Sequence, residues 1–157
     1  MQFPTTSGSN LQRKKLTLPQ DFEGERNLVL IAFQQWQQIQ VETWIPFARQ
    51  IEATYPAVRY YELPTIQRLN TLTRTFINEG MRAGIPDLVA RERTITLYLD
   101  KEAFRRALQL PGEDDIYVLL LDRQGQVLWR AEGAFTPEKG ESLAEALRER
   151  QHKKNQR

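Results

Sequence analysis

Residues 27–33 read NLVLIAF, an almost unbroken apolar run. This pattern is typical of a strand buried on both faces of a parallel sheet, whereas a strand with one wet face alternates apolar and polar residues. Residues 116–121, IYVLLL, form a second run of this kind. Two fully buried strands need helices on both sides of their sheet, so the sequence predicts an α/β protein.

Strand-like and helix-like segments alternate along most of the chain, which favours parallel strands joined by right-handed crossovers. The last two strands follow each other directly and predict an antiparallel hairpin at one edge. Pro46 lies inside the first helical stretch, where we expect a kink. The predicted order is strand 27–33, helix 36–54, strand 58–63, helix 65–84, strand 94–99, helix 101–108, strands 116–121 and 126–131, and helix 137–150, with a short edge strand at 15–18.

Cap and turn residues set these boundaries. Pro64 is expected to end its strand, and Thr65 to cap the helix that follows. Asp100 is expected to cap the next helix, and Gly125 closes a tight turn in the hairpin. Apolar residues at helical spacing mark the inner face of the helix after Thr65, namely Ile66, Leu69, Leu72, Phe76, Ile77 and Met81.

The chain has 157 residues, the usual size of one domain. Residues 1–12 are rich in Ser, Thr, Gly and Asn and predict a flexible arm. We expect a single domain over residues 13–150 and a basic tail over 151–157. The net charge is only +2, and much of the basic excess lies near the two ends. These ends are interpreted as solvated termini or as a weak contact with anionic lipid or nucleic acid.

Cysteine is absent from the sequence, which excludes disulfides, thiolate metal sites and cysteine nucleophiles. His152 is the only histidine, so a catalytic triad built on histidine or a histidine metal site is not expected. Neither glycine-rich phosphate-binding signature occurs. Residues 113–115 (EDD) are interpreted as a solvated turn rather than a metal site. The sequence therefore predicts no cofactor, no metal and no nucleic-acid partner.

No apolar run approaches the roughly 20 residues that cross a bilayer. Residues 1–10 lack the apolar core and early positive charge of a secretory signal. We therefore expect a soluble cytoplasmic protein that can associate peripherally with the cytoplasmic face of a membrane through a partner.

Residues 18–24 precede the first predicted core strand, and Pro46 lies inside the helix that follows that strand. In these two features the chain resembles the redoxin proteins of the thioredoxin-like superfamily. Residues 18–24, LPQDFEG, resemble the segment that precedes their first core strand. In redoxins a Cys-x-x-Cys motif follows that strand, and a helix-kinking proline lies five residues after the second cysteine. Counting back from Pro46 and forward from Phe33 gives one register, which puts Gln38 and Val41 at the two cysteine positions. The resemblance implies that the redox pair has been replaced.

Redoxins also carry a cis-proline at the start of the strand before the hairpin. By the same resemblance it would fall at Ile116 or Tyr117, and neither is proline. The resemblance implies a thioredoxin-like mixed sheet flanked by helices, with an additional β-α unit inserted before the C-terminal hairpin and helix. It also implies a protein that is inactive in thiol redox chemistry.

A more specific resemblance rests on residues 61–64 (YELP), 116–122 and 125–129 (GQVLW), and on Gly133 before the last helix. It is a resemblance to the thioredoxin-like assembly factors of the mitochondrial ATP synthase, the "ATP-ten" family. It implies a chaperone, not an enzyme, that helps membrane subunits of the F-type ATP synthase come together. The sequence shows no organelle-targeting presequence, so we expect a bacterial relative.

The topology and the resemblance together predict a partner-binding site around the former redox loop. Ligands of open α/β sheets bind at the carboxyl ends of the parallel strands, where this loop, the end of the 58–63 strand and the 112–117 loop should meet. The predicted partner-binding residues are Trp36, Gln37, Gln38, Val41, Glu62, Pro64, Ile116 and Tyr117.

Several aromatic and polar residues near this site allow two interpretations. Trp36 and Trp44 are either core residues or, for Trp36, part of a contact surface, since tryptophan is enriched at interfaces. Five glutamines within residues 34–40 form either a polar helix face or a neutral hydrogen-bonding surface for an extended peptide. Trp129 is expected to share a face with Val127 and to pack under the last helix.

Two other functions remain open from the sequence. The first is a structural subunit that dimerises through a sheet edge or a helix. The second is an enzyme that reuses the fold without cysteine, although the sequence shows no pair of nucleophile and base that would support it.

Overall fold

The computed structural model of the chain describes residues 1–68 and 92–155, with side chains to residue 149. Its strands are β1 (Thr6–Asn10), β2 (Lys15–Leu18), β3 (Arg26–Ala32), β4 (Val58–Gln67), β5 (Ile95–Leu99), β6 (Tyr117–Asp122) and β7 (Val127–Glu132). Its helices are α1 (Gln38–Thr54), α2 (Lys101–Ala107) and α3 (Pro137–Asn155), with a 3-10 turn over Gln35–Gln37 before α1.

The seven strands form one mixed sheet in the order β2-β1-β5-β4-β3-β6-β7. Strands β3, β4 and β5 are parallel to one another. Strand β6 runs antiparallel to β3, and β7 antiparallel to β6. At the other side β1 pairs antiparallel with β5, and β2 with β1. The parallel centre and the antiparallel C-terminal hairpin confirm the predicted mixed α/β sheet.

Alternate residues of the central strands enter two apolar cores, one on each face of the sheet. On one face, β3 contributes Leu28 and Leu30, which pack with residues of α1 and α3. On the other face, Val29 and Ile31 pack with Phe104 of α2. Because β3 is covered on both sides, its apolar run needs no polar alternation. The arrangement leaves the ends of the strands, rather than their faces, open for a site.

Cap and turn residues behave as predicted at two boundaries. The Asp100 carboxylate accepts hydrogen bonds from the backbone N–H groups of Glu102 and Ala103 and so caps α2. Gly125 has a φ of +87° in the turn between β6 and β7, a conformation that glycine adopts without steric cost.

The prediction that residues 1–12 form a flexible arm is wrong, because a strand lies in the middle of this segment. Residues Thr6–Asn10 are strand β1, and Phe3 and Leu11 are buried on either side of it. The reason is tertiary: β1 lies between β2 and β5, so its backbone groups bond within the sheet. The division into one domain over 13–150 and a tail over 151–157 stays a prediction, although α3 itself continues to Asn155.

The prediction that the 58–63 strand ends at Pro64 is also wrong. Strand β4 continues to Gln67, and Thr65 lies inside it instead of capping a helix. Its hydroxyl is buried and donates a hydrogen bond to the carbonyl of Leu63. The regular β4–β5 pairing begins only at Thr65, which is physically reasonable because proline has no N–H to give to a ladder. The rest of the predicted helix 65–84, from residue 69 onward, lies outside the described residues.

Candidate functional site

The site lies where the parallel strands β3 and β4 end and α1 begins. Strand β3 ends at Ala32, and α1 begins at Gln38 after the 3-10 turn. Gln38 and Val41 therefore occupy the first turn of the helix that follows the first core strand. This position agrees with the register counted from Pro46 and Phe33.

Two large apolar side chains are exposed at this helix start. Trp36 is 55% exposed and Ile39 is 72% exposed. Residues three apart on a helix lie on neighbouring parts of one side, so these two side chains belong to one patch. Elsewhere among residues 1–68 and 92–149, Met1 is the only other exposed large apolar side chain. The exposure of Trp36 favours the contact-surface interpretation of that residue.

Glu62 of β4 is a carboxylate that is only 9% exposed. The side-chain amide of Gln38 donates a hydrogen bond to its Oε1 at 3.2 Å. Burial raises the pKa of Glu62 above its usual range, and the hydrogen bond from Gln38 partly opposes this. The negative charge of Glu42 raises this pKa further, whereas Arg49 lowers it by a smaller amount. Glu62 is thus a poorly solvated acid beside the exposed apolar patch.

Most of the remaining predicted site residues are buried. Val41 is 1% exposed, Ile116 is fully buried and Tyr117 is 2% exposed. The Tyr117 hydroxyl donates to the carbonyl of Gly112 at 3.0 Å and accepts from its N–H at 3.2 Å. Pro64 is half-buried. These residues shape the site from beneath, and of the predicted set Trp36 and Gln38 are exposed.

Gln37 is fully buried, and its side chain makes three hydrogen bonds to described residues. Its Oε1 accepts from the backbone N–H of Phe33 at 2.8 Å and of Gln34 at 3.2 Å. Its Nε2 donates to the backbone carbonyl of Glu113 at 2.5 Å. A glutamine can serve two N–H groups and one carbonyl at once because it carries both acceptor and donor groups. Gln37 therefore joins the end of β3 to the loop before β6.

Two other glutamines of the run make the same connection. Gln34 donates to the carboxylate of Glu113 at 2.8 Å. Gln40 donates to Asp115 at 2.8 Å and accepts from the N–H of Ile116 at 3.0 Å. Gln34, Gln37 and Gln40 thus bind the 113–116 loop, and Gln35 and Gln38 are exposed. The run is therefore neither only a polar face nor only a contact surface.

Glu113 forms ion pairs with two cations, whereas the sequence predicted a solvated turn at residues 113–115. Lys101 Nζ lies 3.1 Å from Oε1 of Glu113, and Arg105 Nε lies 3.3 Å from its Oε2. Lys101 also donates to the carbonyl of Phe33 at 2.7 Å. These contacts tie α2 to the site from the other face of the sheet. No local motif could have indicated these contacts, since Lys101 and Phe33 are far apart in sequence.

The other two tryptophans support the site from the core. Trp44 is fully buried, and its indole N–H donates to the carbonyl of Gly133 at 3.0 Å. Its ring makes edge contacts with Trp129 and Phe135. The indole N–H of Trp129 donates to Ser142 of α3 at 3.0 Å, which confirms that it packs under the last helix.

Among residues 1–68 and 92–149, no group of three or more acids or histidines could hold a metal ion. Within the same described part of the chain, no helix is both long and apolar enough to cross a membrane. The exposed groups at the site are an indole, an isoleucine side chain and an amide, and a buried carboxylate is bonded to that amide. This set suits binding through apolar contact and hydrogen bonds.

The fold is shared with solved structures at low sequence identity. BsSco, a member of the Sco family of cytochrome c oxidase assembly proteins, has a TM-score of 0.62 at 11% identity over 92% of each chain. An exposed lipoprotein thioredoxin from Streptococcus pneumoniae has a TM-score of 0.58 at 12% identity, over 93% of this chain and 99% of the other. The thioredoxin domain of a thiol-disulfide oxidoreductase from Bacteroides vulgatus has a TM-score of 0.55 at 14% identity, over 94% and 95%. The chain therefore has a thioredoxin-like fold.

A sequence model of one protein family, described as "ATP10 protein", matches residues 1–149. No curated protein matches the chain. The family match spans the sheet, all three described helices up to residue 149, and every residue of the site.

Proposed function

The chain belongs to the ATP10 protein family, and from that membership we propose that it is an assembly factor for the membrane sector of the F-type ATP synthase. In this role it acts by binding a partner subunit and not by catalysis. It works at the cytoplasmic face of a membrane, in peripheral association with the complex being assembled.

The chemistry of the helix start supports a binding role. A thioredoxin-like protein exchanges disulfides through thiolates in the first turn of this helix. Here that turn carries Gln38 and Val41, and the sequence has no cysteine at all. Neither an amide nor an isopropyl group can attack a disulfide. The scaffold is retained, so its remaining use is recognition.

The partner-binding surface is the patch formed by Trp36, Gln38, Ile39 and the edge of Glu62, which we call the α1-start surface. The single observation that supports it most is the exposure of Trp36 and Ile39 side by side, since large apolar side chains are costly to leave in water and aromatic anchors dominate interface energies. The buried members of the predicted set, Gln37 among them, hold this surface in place.

Site-specific photo-crosslinking in cells tests this function. A photoreactive amino acid replaces the exposed Gln38 in the full chain. The matched control carries it at exposed Arg123, in the β6–β7 turn at the opposite end of β6. We expect membrane subunits of the ATP synthase to be captured from position 38 and not from position 123. Capture from both positions would remove the site, and capture of no ATP synthase subunit from either would remove the function.

A further inference from the structure

We propose that the α1-start surface recognises a basic segment of its partner in which an apolar side chain lies next to a lysine or arginine. This inference rests on the proposed function and specifies the partner chemistry at the same site. The segment that fits is one that flanks a transmembrane helix of the partner subunit on the cytoplasmic side.

The apolar half of this recognition comes from Trp36 and Ile39. Their neighbouring positions offer a ring face and a branched aliphatic side chain on one side of the helix start. The helix beneath them is fixed, because Val41 and Trp44 are buried one and two turns on. Because the backbone beneath the patch is already held in place, binding costs mainly side-chain freedom, which favours its use as a docking surface.

The charged half comes from Glu62. An ionised carboxylate can accept about four hydrogen bonds. Among the described residues Glu62 accepts one, from the neutral amide of Gln38, although it is nine-tenths buried. Carboxylates in such surroundings are stabilised by a cation with N–H donors, which the partner can supply.

Among the described residues, the charges that act on Glu62 are on balance negative. Glu42, one turn along α1 from Gln38, acts on Glu62 more strongly than the opposite charge of Arg49. The cations Lys101 and Arg105, which approach from α2, are paired with Glu113 instead. An incoming lysine or arginine therefore meets an acidic, incompletely paired site.

This combination identifies the kind of partner. Cytoplasmic segments next to transmembrane helices are enriched in lysine and arginine, and aromatic and apolar side chains lie beside them at the membrane surface. Such a segment presents an apolar side chain and a cation within a few residues of each other. Its apolar side chain would pack on Trp36 and Ile39, and its cation would pair with Glu62.

Peptide binding to the full chain tests the inference. Three fluorescent ten-residue peptides serve as probes: one with Leu, Phe and three Lys, one with each Lys replaced by Glu, and one with Leu and Phe replaced by Ser. Fluorescence anisotropy gives each dissociation constant. We expect the Lys peptide to bind at least tenfold more tightly than either of the others.

Two variants with the same change in net charge separate a specific pair from general attraction. Glu62→Gln keeps the shape of the side chain and removes its charge, and we expect about tenfold weaker binding of the Lys peptide. Glu145→Gln removes an exposed charge on α3, and we expect less than twofold weakening. Ile39→Ser, at a site that is 72% exposed and so contributes little to the core, is expected to weaken binding of the Lys peptide severalfold.

Equal effects of Glu62→Gln and Glu145→Gln, or equal binding of the Lys and Glu peptides, would overturn the inference. These results are independent of the crosslinking outcome. If position 38 captures an ATP synthase subunit through an acidic or uncharged segment, the function stands and this inference fails. If the Lys peptide binds selectively but no ATP synthase subunit is captured, the inference stands and the function fails.

Discussion

Gln37→Ala tests the claim that one buried side chain joins the α1 start to the loop before β6. Alanine removes all three hydrogen bonds of Gln37, to the N–H groups of Phe33 and Gln34 and to the carbonyl of Glu113. Alanine itself is tolerated in a helical turn, so the substitution adds no backbone cost. What remains is a small cavity lined by backbone polar groups.

The magnitude follows from the burial of these groups. The bonds to Phe33 N–H and to Glu113 C=O span 2.8 and 2.5 Å from a side chain with no exposed surface. A buried polar group left without its partner costs about 1 to 3 kcal/mol. Two such groups, with some relief if a water molecule enters, predict a loss of about 2 to 4 kcal/mol in the free energy of unfolding.

Urea denaturation followed by far-UV circular dichroism measures this loss for the full chain. The matched control is Gln35→Ala, in the same 3-10 turn but exposed, where we expect a change within about 0.5 kcal/mol. If the two variants lose the same stability, Gln37 is not a structural link and the assignment of the glutamine run is refuted.

Three further variants address the core, the turn and the acid of the site. Trp44→Phe leaves the buried carbonyl of Gly133 without its indole donor, and chemical denaturation should show a loss of about 2 kcal/mol; an unchanged midpoint would contradict this. Gly125→Ala would place a methyl group 2.6 Å from Pro19 at a φ of +87°, so thermal unfolding should show a loss of about 1 to 3 kcal/mol. Because burial raises the pKa of Glu62, the folded state retains a proton that the unfolded state releases, so its contribution to stability falls as pH rises from the ordinary glutamate pKa through the raised one. Glu62→Gln should flatten that decline in urea midpoints as the pH rises above the ordinary glutamate pKa, and an unchanged slope would show that Glu62 is not its source.

The central strands and the register of the site could be predicted because their signals are local. The apolar runs at 27–33 and 116–121 become β3 and β6, each within one or two residues. The position of Gln38 follows from its spacing to a strand and to Pro46, both in the same stretch of chain. Local periodicity and short spacings need no knowledge of distant contacts.

Strand β1 could not be predicted because its composition is that of a loop. Residues 6–10 read TSGSN, and Ser, Gly and Asn are typical of turns. Gly8 is required by packing instead, since a Cβ there would lie 2.7 Å from the side chain of Ile95 and 2.8 Å from that of Leu97. Tertiary pairing overrides weak local preference at this edge of the sheet.

The prediction of which residues of β7 share a face is also wrong, again because pairing with a neighbouring strand decides it. Strict alternation put Val127 and Trp129 on one face of the sheet. In the structure Val127 packs against one core and Trp129 against the other. The pairing of β6 with β7 is irregular between Leu120 and Leu121, where Leu128 is an additional residue on β7. Such a bulge shifts alternation by one residue, and the sequence gives no sign of it.

The unfavourable surroundings of three residues at the start of α1 argue against a former redox site that has only lost its activity. Trp36 and Ile39 are exposed to water, and Glu62 is buried with one neutral partner among the described residues, so three neighbouring residues lie in unfavourable surroundings. Around them the contacts are well satisfied, as the buried hydrogen bonds of Gln37 illustrate. Residues in unfavourable surroundings that cluster in one patch are typical of a functional site, because a ligand that covers them removes those surroundings. A partner that buries the indole and supplies a cation to Glu62 would remove these costs together.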